Sequence, residues 1–285
     1  MPERRIEVGE ITVFADRTHV ALGTALAEAA SPPHDWAGFG RLDLGRLLLI
    51  LASDRADFAR WSRGRTPGWS AGATLSGSRV VIIRLDAGDP YQTLRHELAH
   101  VALHQRVQVR VPLWFDEGYA VYAAQEYGRF AALRLNLAVA TGKVPELRVL
   151  DGALRGNASD AETAYALAGS AVAELAHRCR NGDLRGLLEL LEQGVEFEPA
   201  LLKATGYTSD RFEAVWLRSV RQHYNWFVWL ATGGMWLIVT LVLVWAAASR
   251  KRRDAPRRAA LDEGWPLPPE DDETITIQGV GPHSS

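Results

Sequence analysis

Two histidines four residues apart, His96 and His100, enclose Glu97 in a His-Glu-Leu-Ala-His run, and Glu117 follows within Trp-Phe-Asp-Glu-Gly-Tyr-Ala. On a helix, residues four apart share a face, so both imidazoles can reach one ion while Glu97 turns about 100° away. Such a pair is a metal grip, and zinc is the ion it suits. Bound zinc lowers the pKa of a water from roughly 15.7 to about 7, and a carboxylate beside it can take the proton during attack on a carbonyl. Catalytic zinc takes three protein ligands and keeps one position open. Glu117 suits the third place. It lies between Leu113, Trp114 and Phe115 and Tyr119, Ala120 and Val121, where an unpaired carboxylate would be costly. The expected site is therefore one Zn2+ on His96, His100 and Glu117, with Glu97 as the base.

At these residues the chain resembles the gluzincin metallopeptidases, and within them the small bacterial peptidases of the MA-like class. Their first zinc helix carries His-Glu-Leu-Ala-His, and their second a Trp-Leu-x-Glu-Gly-x-Ala run similar to Trp114–Ala120. The similarity extends from about Ile11 to Tyr224 and is specific at these two helices. It implies that Glu117 is a ligand. It also implies that a tyrosine on a later helix donates to the oxyanion of the tetrahedral intermediate, and Tyr165 in Ala164-Tyr165-Ala166 matches that position. A tyrosine packed at a helix edge fits the same residues equally well. Two departures separate the chain from the large aminopeptidases of the clan. The spacer before Glu117 is shorter, and no Gly-x-Met-Glu-Asn element is present. Aminopeptidase activity is not implied.

With 285 residues there is room for one catalytic domain and appendages. A net charge of −2, with no basic stripe interleaved with aromatics before residue 220, gives no reason to expect nucleic acid. Cys179 is the only cysteine, which excludes an internal disulfide. No oligomeric state follows from the sequence.

Trp226 to Ala248 carries no charged residue. As a helix it would be about 35 Å long, enough to cross a hydrocarbon layer of roughly 30 Å. Trp226, Trp229 and Trp245 lie near its ends, as an interfacial aromatic belt requires, and Arg250, Lys251, Arg252 and Arg253 follow it. The expectation is a single-pass membrane helix in contact with a lipid bilayer. By the positive-inside rule residues 249–285 form a cytoplasmic tail, so the catalytic domain, residues 6–222, lies outside the cytoplasm. Pro266-Leu267-Pro268-Pro269 and the acids at 270–273 mark the tail as disordered. An exported domain calls for an apolar leader, which Met1–Val8 does not provide, so either an export signal lies upstream of Met1, the reading favoured by the charge bias, or the domain is cytoplasmic and the topology inverted.

The elements that must position the zinc residues can also be read. Asp89 as cap and Pro90 at the first helical position start a helix over Tyr91–Gln105. After Pro112 a second helix spans Leu113–Tyr127. Ahead of them, a strand at Ile11–Ala15, a helix at His19–Ala30 and a strand at Leu47–Ala52 are predicted. A helix at Arg55–Arg63 follows, and then a hairpin formed by Ala71–Leu75 and Arg79–Leu85 around Ser76-Gly77-Ser78. Behind them, helical spacing recurs at Phe130–Thr141, Ala161–Arg178, Leu184–Gln193, Glu198–Thr205 and Ser209–Arg221. The fold class is α+β: a small mixed sheet packed with helices, a two-helix zinc site, a helical second half and the membrane helix.

His104 continues the 96, 100 progression but has drifted about 80° round the helix, and a metzincin would need histidine at position 106, which is Arg106. It is not expected as a ligand. Trp61, Trp69 and Trp114 read as core or rim aromatics and Arg95 as a solvated charge. The strand at Trp69–Leu75 is either a plain hairpin strand or an edge that pairs with an extended substrate. The function that emerges is a membrane-anchored zinc peptidase acting on peptide or protein substrates. A catalytically idle zinc-fold module that binds a partner at the membrane is the alternative, and hydrolysis of a non-peptide amide would use the same chemistry.

Overall fold

The computed structural model describes residues 4–75, 79–126, 135, 138 and 144–263, with backbone alone for 223–235 and 255–263. The chain divides into two compact units, Met1–Trp229 and Leu230–Ser285. The first is α+β, with a five-stranded sheet in the order β1 (Arg4–Val8), β2 (Ile11–Ala15), β5 (Leu47–Ala52), β7 (Val80–Arg84), β6 (Gly72–Leu75).

Its centre is β5 (Leu47–Ala52), whose sequence Leu-Leu-Leu-Ile-Leu-Ala is almost wholly buried. A strand apolar on both faces belongs inside a sheet between parallel neighbours. It pairs in parallel with β2 (Ile11–Ala15) and with β7 (Val80–Arg84). Helix α1 (Val20–Ala30) connects β2 to the strands that follow, and α2 (Arg55–Ser62), capped by the Asp54 side chain accepting from the Asp57 amide, lies between β5 and the β6–β7 pair. Strand β6 (Gly72–Leu75) is antiparallel to β7 and forms one edge; β1 (Arg4–Val8) is antiparallel to β2 and forms the other. Alternation in β2 sends Ile11, Val13 and Ala15 into the main core and half-buries Thr12 and Phe14 on the opposite face. On that opposite face Ile50, Ala52, Phe58, Ala73 and Ile82 form a smaller core under α2.

Helices supply the rest. They are α3 (Pro90–Arg106), α4 (Leu113–Ala123), α5 (Leu147–Leu154), α6 (Ala158–Arg178), α7 (Arg185–Glu192), α8 (Phe197–Thr205) and α9 (Ser209–Glu263). Trp216 on α9 is fully buried and its indole donates to Ser170 Oγ of α6 at 3.1 Å, while Glu213 accepts from the Leu147 amide at the start of α5.

Most of the elements read from sequence are present within a few residues. Strand β1 and the short antiparallel pair β3 (His34–Trp36) and β4 (Gly40–Leu42) were not anticipated. Helix α6 starts three residues earlier than its apolar spacing suggests, because Asn157 accepts from the Asp160 amide and caps it there. The second zinc helix stops at Ala123 rather than Tyr127, with Gln125 at a positive φ of 57° just beyond it. The helix expected over 130–141 and the turn 76–78 lie outside the described residues, apart from Leu135 and Ala138.

The membrane helix expected at Trp226–Ala248 lies partly outside the residues whose side chains are described. Among the described residues no helix is long and apolar enough to cross a membrane. Trp226–Ala248 does lie within α9, but side chains 223–235 are outside the described residues, and the apolar remainder from Trp236 ends at Arg250. Beyond Ala248 the backbone stays helical to Glu263, where an irregular tail was expected; residues 264–285 lie outside the described set.

Candidate metal centre

Local sequence marks where α3 begins. Asp89 accepts from the Tyr91 amide and Pro90 occupies the first turn, where its missing N–H costs nothing. Leu94, Leu98, Val101 and Leu103 are buried, which fixes the rotation of the helix and leaves His96, Glu97 and His100 along one margin of the core. Helix α4 has only Pro112 at its start, so no side chain of its own caps it; Asp151 of α5 accepts from the Trp114 amide at 2.9 Å instead. Trp114 stacks on Phe212, and Phe197 packs edge-on against it.

Gly118 then determines how close α4 comes to α6. A Cβ at this position would sit 2.4 Å from the Ala168 carbonyl oxygen and 2.8 Å from Val172 Cγ2. Only glycine permits that approach. Because Glu117 precedes Gly118 and Tyr165 lies one turn before Ala168, the same crossing brings the Tyr165 ring within 5.9 Å of the His96 ring, edge to face.

The predicted ligand residues meet. Glu117 Oε2 lies 3.3 Å from His100 Nε2 and 3.6 Å from His96 Nε2, and the three side chains form a group able to hold a metal ion. Zinc bonds of about 2.0–2.2 Å at tetrahedral angles place neighbouring donors roughly 3.4 Å apart, so these separations fit that ion. The outer nitrogens are held as well. His96 Nδ1 lies 3.2 Å from Glu126 Oε1, and His100 Nδ1 lies 2.8 Å from Asp116 Oδ1. Both imidazoles thus point Nε2 toward Glu117, the arrangement that carboxylate–histidine pairs impose on metal ligands.

Charge in this cluster is tightly coupled. Burial works against the His96 imidazolium, yet the Glu126 charge and the hydrogen bonds to Glu117 and Glu126 push it up to about 10. Burial opposes His100 likewise, and Asp116 and Glu117 raise it well above the usual histidine value. Burial would raise Glu117, but His100 and His96 bring it down to about 2. The centre of the trio is therefore a place where positive charge is stabilised.

Glu97 is buried at 6% exposure, and burial raises its pKa above the ordinary glutamate value, partly offset by His100, His96 and a hydrogen bond from Thr74. Such a shift favours a carboxylate that accepts a proton and later returns it. Gly72 of the edge strand makes room for it, since a Cβ there would meet Glu97 Oε1 at 2.6 Å. Glu97, His96, Thr93, Gly72, Trp69 and Tyr165 line one cleft of about 500 Å³. Burial, followed by the charges of Glu117, Glu97 and Glu126, raises the Tyr165 hydroxyl far above its usual value and keeps it a proton donor. Trp69 packs edge-on to Tyr165 and its indole donates to the Gly156 carbonyl at 2.9 Å, forming the rim.

Asp116, Glu126 and Thr74 were not singled out by sequence. Asp116 had one legible signal, its place beside Glu117 on the first turn of α4. His104, which is not in the trio with Glu117, lies 2.8 Å from Asp116 Oδ2 through Nε2, and with His100 and Asp116 forms a second acid–histidine group. Trp114 is core, Trp61 and Trp69 are partly buried, and Arg95 is exposed, as read from sequence.

Comparison with curated proteins gives no match. A family model, that of the Peptidase MA superfamily, matches residues 65–222, more than half of the chain. The matched stretch contains β6, α3, α4 and Tyr165, and so the whole described cleft. It supports a peptidase-like enzyme, and on this match the chain belongs to the Peptidase MA superfamily.

Proposed function

We propose that this chain is a membrane-anchored, zinc-dependent peptidase in which His96, His100 and Glu117 hold one Zn2+, Glu97 is the general base and Tyr165 is the oxyanion donor. The observation that carries the reading is the convergence of His96 Nε2 and His100 Nε2 on Glu117 Oε2, at 3.6 and 3.3 Å, beside a buried glutamate in a cleft. A zinc ion held there supplies Lewis acidity and a water whose proton is easily lost at neutral pH.

The remaining work falls to side chains. Glu97 accepts the proton of the attacking water and passes it to the departing amine, a role favoured by its raised affinity for protons. Tyr165 remains a neutral donor at working pH and can hydrogen-bond the negative charge that develops on the carbonyl oxygen. Trp69, Ser70 and Ala71, which lead into β6, border the cleft, where a polypeptide can lie extended against main chain.

The anchor is proposed from α9. Trp236 and Trp245 are 70% and 72% exposed, and Leu237, Ile238, Leu241, Val242, Leu243 and Val244 are exposed with them. A long run of exposed apolar side chains requires a cover, and lipid provides one. The basic residues at 250–253 favour the cytoplasmic side, which would put residues 6–222 outside.

The test uses full-length chain in detergent. Elemental analysis should find one zinc per chain, lost in His100→Ala. A mixed peptide substrate should be cleaved, cleavage should stop with a chelator and return with zinc, and Glu97→Gln should keep its zinc while losing at least about 100-fold in rate. Absence of zinc from the wild type would remove the metal site. Zinc without hydrolysis would indicate a binding module instead.

A further inference from the structure

We propose that Asp116 is a positioning residue for the metal centre and that His104 is the latch holding Asp116 in place. The inference rests on the zinc reading above.

Asp116 and Glu117 are adjacent on the first turn of α4, so their side chains leave the helix about 100° apart. Glu117 faces His96 and His100; Asp116 is free to reach along α3, where His100 and His104 are one turn apart on the same flank. It uses both oxygens. Oδ1 lies 2.8 Å from His100 Nδ1, and Oδ2 lies 2.8 Å from His104 Nε2. An ionised carboxylate can only accept, so both ring nitrogens carry the hydrogen. With Nδ1 protonated, neutral His100 presents its lone pair on Nε2, the atom 3.3 Å from Glu117 Oε2.

The three residues could themselves be taken for a second metal site. Their separations argue otherwise. At 2.8 Å each is the length of a charge-assisted hydrogen bond, well short of the roughly 3.4 Å between donors around tetrahedral zinc, whereas the trio with Glu117 has the longer spacing. Asp116, His100 and His104 therefore form a hydrogen-bonded chain ending on a ligand.

The two ligands are not braced equally. The outer nitrogen of His96, Nδ1, has one hydrogen-bond partner among the described residues, Glu126 Oε1 at 3.2 Å. Asp116 is held at both oxygens, so it cannot rotate without breaking one of two short bonds, and His100 inherits that rigidity. His104 is 35% exposed in its side chain and has no place in the trio with Glu117. Latching Asp116 gives the third histidine of the 96, 100, 104 series a function.

The experiment measures zinc affinity of the detergent-solubilised full chain by competition with a chromogenic chelator. Asp116→Asn keeps the shape but puts an amide where one carboxylate oxygen accepted, and it should weaken zinc binding by about 10- to 100-fold. His104→Gln should weaken it less, by at most about tenfold. Combined with Asp116→Asn, His104→Gln should add nothing, because it acts only through Asp116. Metal-free melting temperatures, taken in parallel, should stay close to wild type; a purely structural pair would lower them and leave affinity intact. Wild-type affinity in Asp116→Asn overturns the proposal, as does a full additional loss in the double variant. His104→Gln lies at a partly exposed position and reports even if Asp116→Asn fails to fold, since wild-type affinity there removes the latch. A wild-type chain that binds no zinc defeats the underlying metal reading, an outcome distinct from tight wild-type binding with indifferent variants.

Discussion

The Thr74 hydroxyl sits 2.6 Å from Glu97 Oε2 and 3.1 Å from the Glu97 carbonyl oxygen, tying the edge strand of the sheet to the proposed base on α3. The contact orients a carboxylate whose other oxygen lies against Gly72. Thr74→Val should lower kcat by about tenfold, the equivalent of losing a hydrogen bond to a charged group worth roughly 1.5 kcal/mol, with KM and zinc content unchanged. Thr74→Ser should restore the rate. Steady-state kinetics on the three proteins decides it.

Tyr165→Phe removes one hydroxyl from the cleft and leaves the ring packed against His96 and Trp69. A loss of about 100- to 1,000-fold in kcat is expected if that hydroxyl meets the developing oxyanion. Zinc should be retained. An unchanged kcat would reduce Tyr165 to a packing role.

Gly118→Ala tests the helix crossing. Its methyl group would meet main chain at Ala168 rather than a side chain that can swing away, so α4 must move off α6. A destabilisation of about 1–3 kcal/mol or more is expected, visible as a melting point several degrees lower. Zinc affinity and activity should fall with it, because Glu117 and Tyr165 are carried on the two helices that separate.

Acid sensitivity should involve Asp16. Its carboxylate accepts from the Thr18 and Ser53 hydroxyls at 2.6 and 2.7 Å and from the Thr18 and His19 amides, and these bonds, led by Thr18, hold its pKa well below the usual carboxylate range. A folded pKa below the unfolded value of about 3.9 stabilises the native state above that pH and loses the contribution as pH falls toward the folded value. Asp16→Asn should therefore melt earlier than wild type at pH 7. The gap should narrow steadily below about pH 4, as paired melts across pH would show.

For the anchor, the full chain should sediment with membranes and a version ending at Arg221 should not. Protease added to the outer face should release the catalytic region if residues 6–222 lie there. Protection from that protease would place them on the cytoplasmic side.

How much of this was legible beforehand depends on the range of each interaction. His96, Glu97 and His100 share one helix, and helical geometry alone dictates that the two histidines align and the glutamate does not. The start of that helix was equally local, since Asp89 and Pro90 act on the amides next to them. The same holds for the apolar run of β5 and for the β6–β7 pairing. Glu117 could be placed because a buried carboxylate among aromatics needs a partner and two were close in sequence. Tyr165 was carried by resemblance; its position beside His96 follows from the Gly118–Ala168 approach, which no local pattern encodes.

Only the tertiary structure could pair Asp116 with His104, Glu126 with His96 and Thr74 with Glu97. Each pair joins separate elements, and its geometry depends on how far one helix is rotated and shifted against its neighbour, which the packing of Trp114, Phe197 and Phe212 and the bare face of Gly118 determine. Strand β1 escaped notice for a related reason. Arg4, Arg5 and Glu7 make it read as polar chain, and it becomes a strand because β2 offers an unpaired edge whose amides and carbonyls it satisfies. The sequence alone thus determined which atoms could do the chemistry, since that depends on residue type and helical spacing; their orientation was decided by contacts between elements distant along the chain.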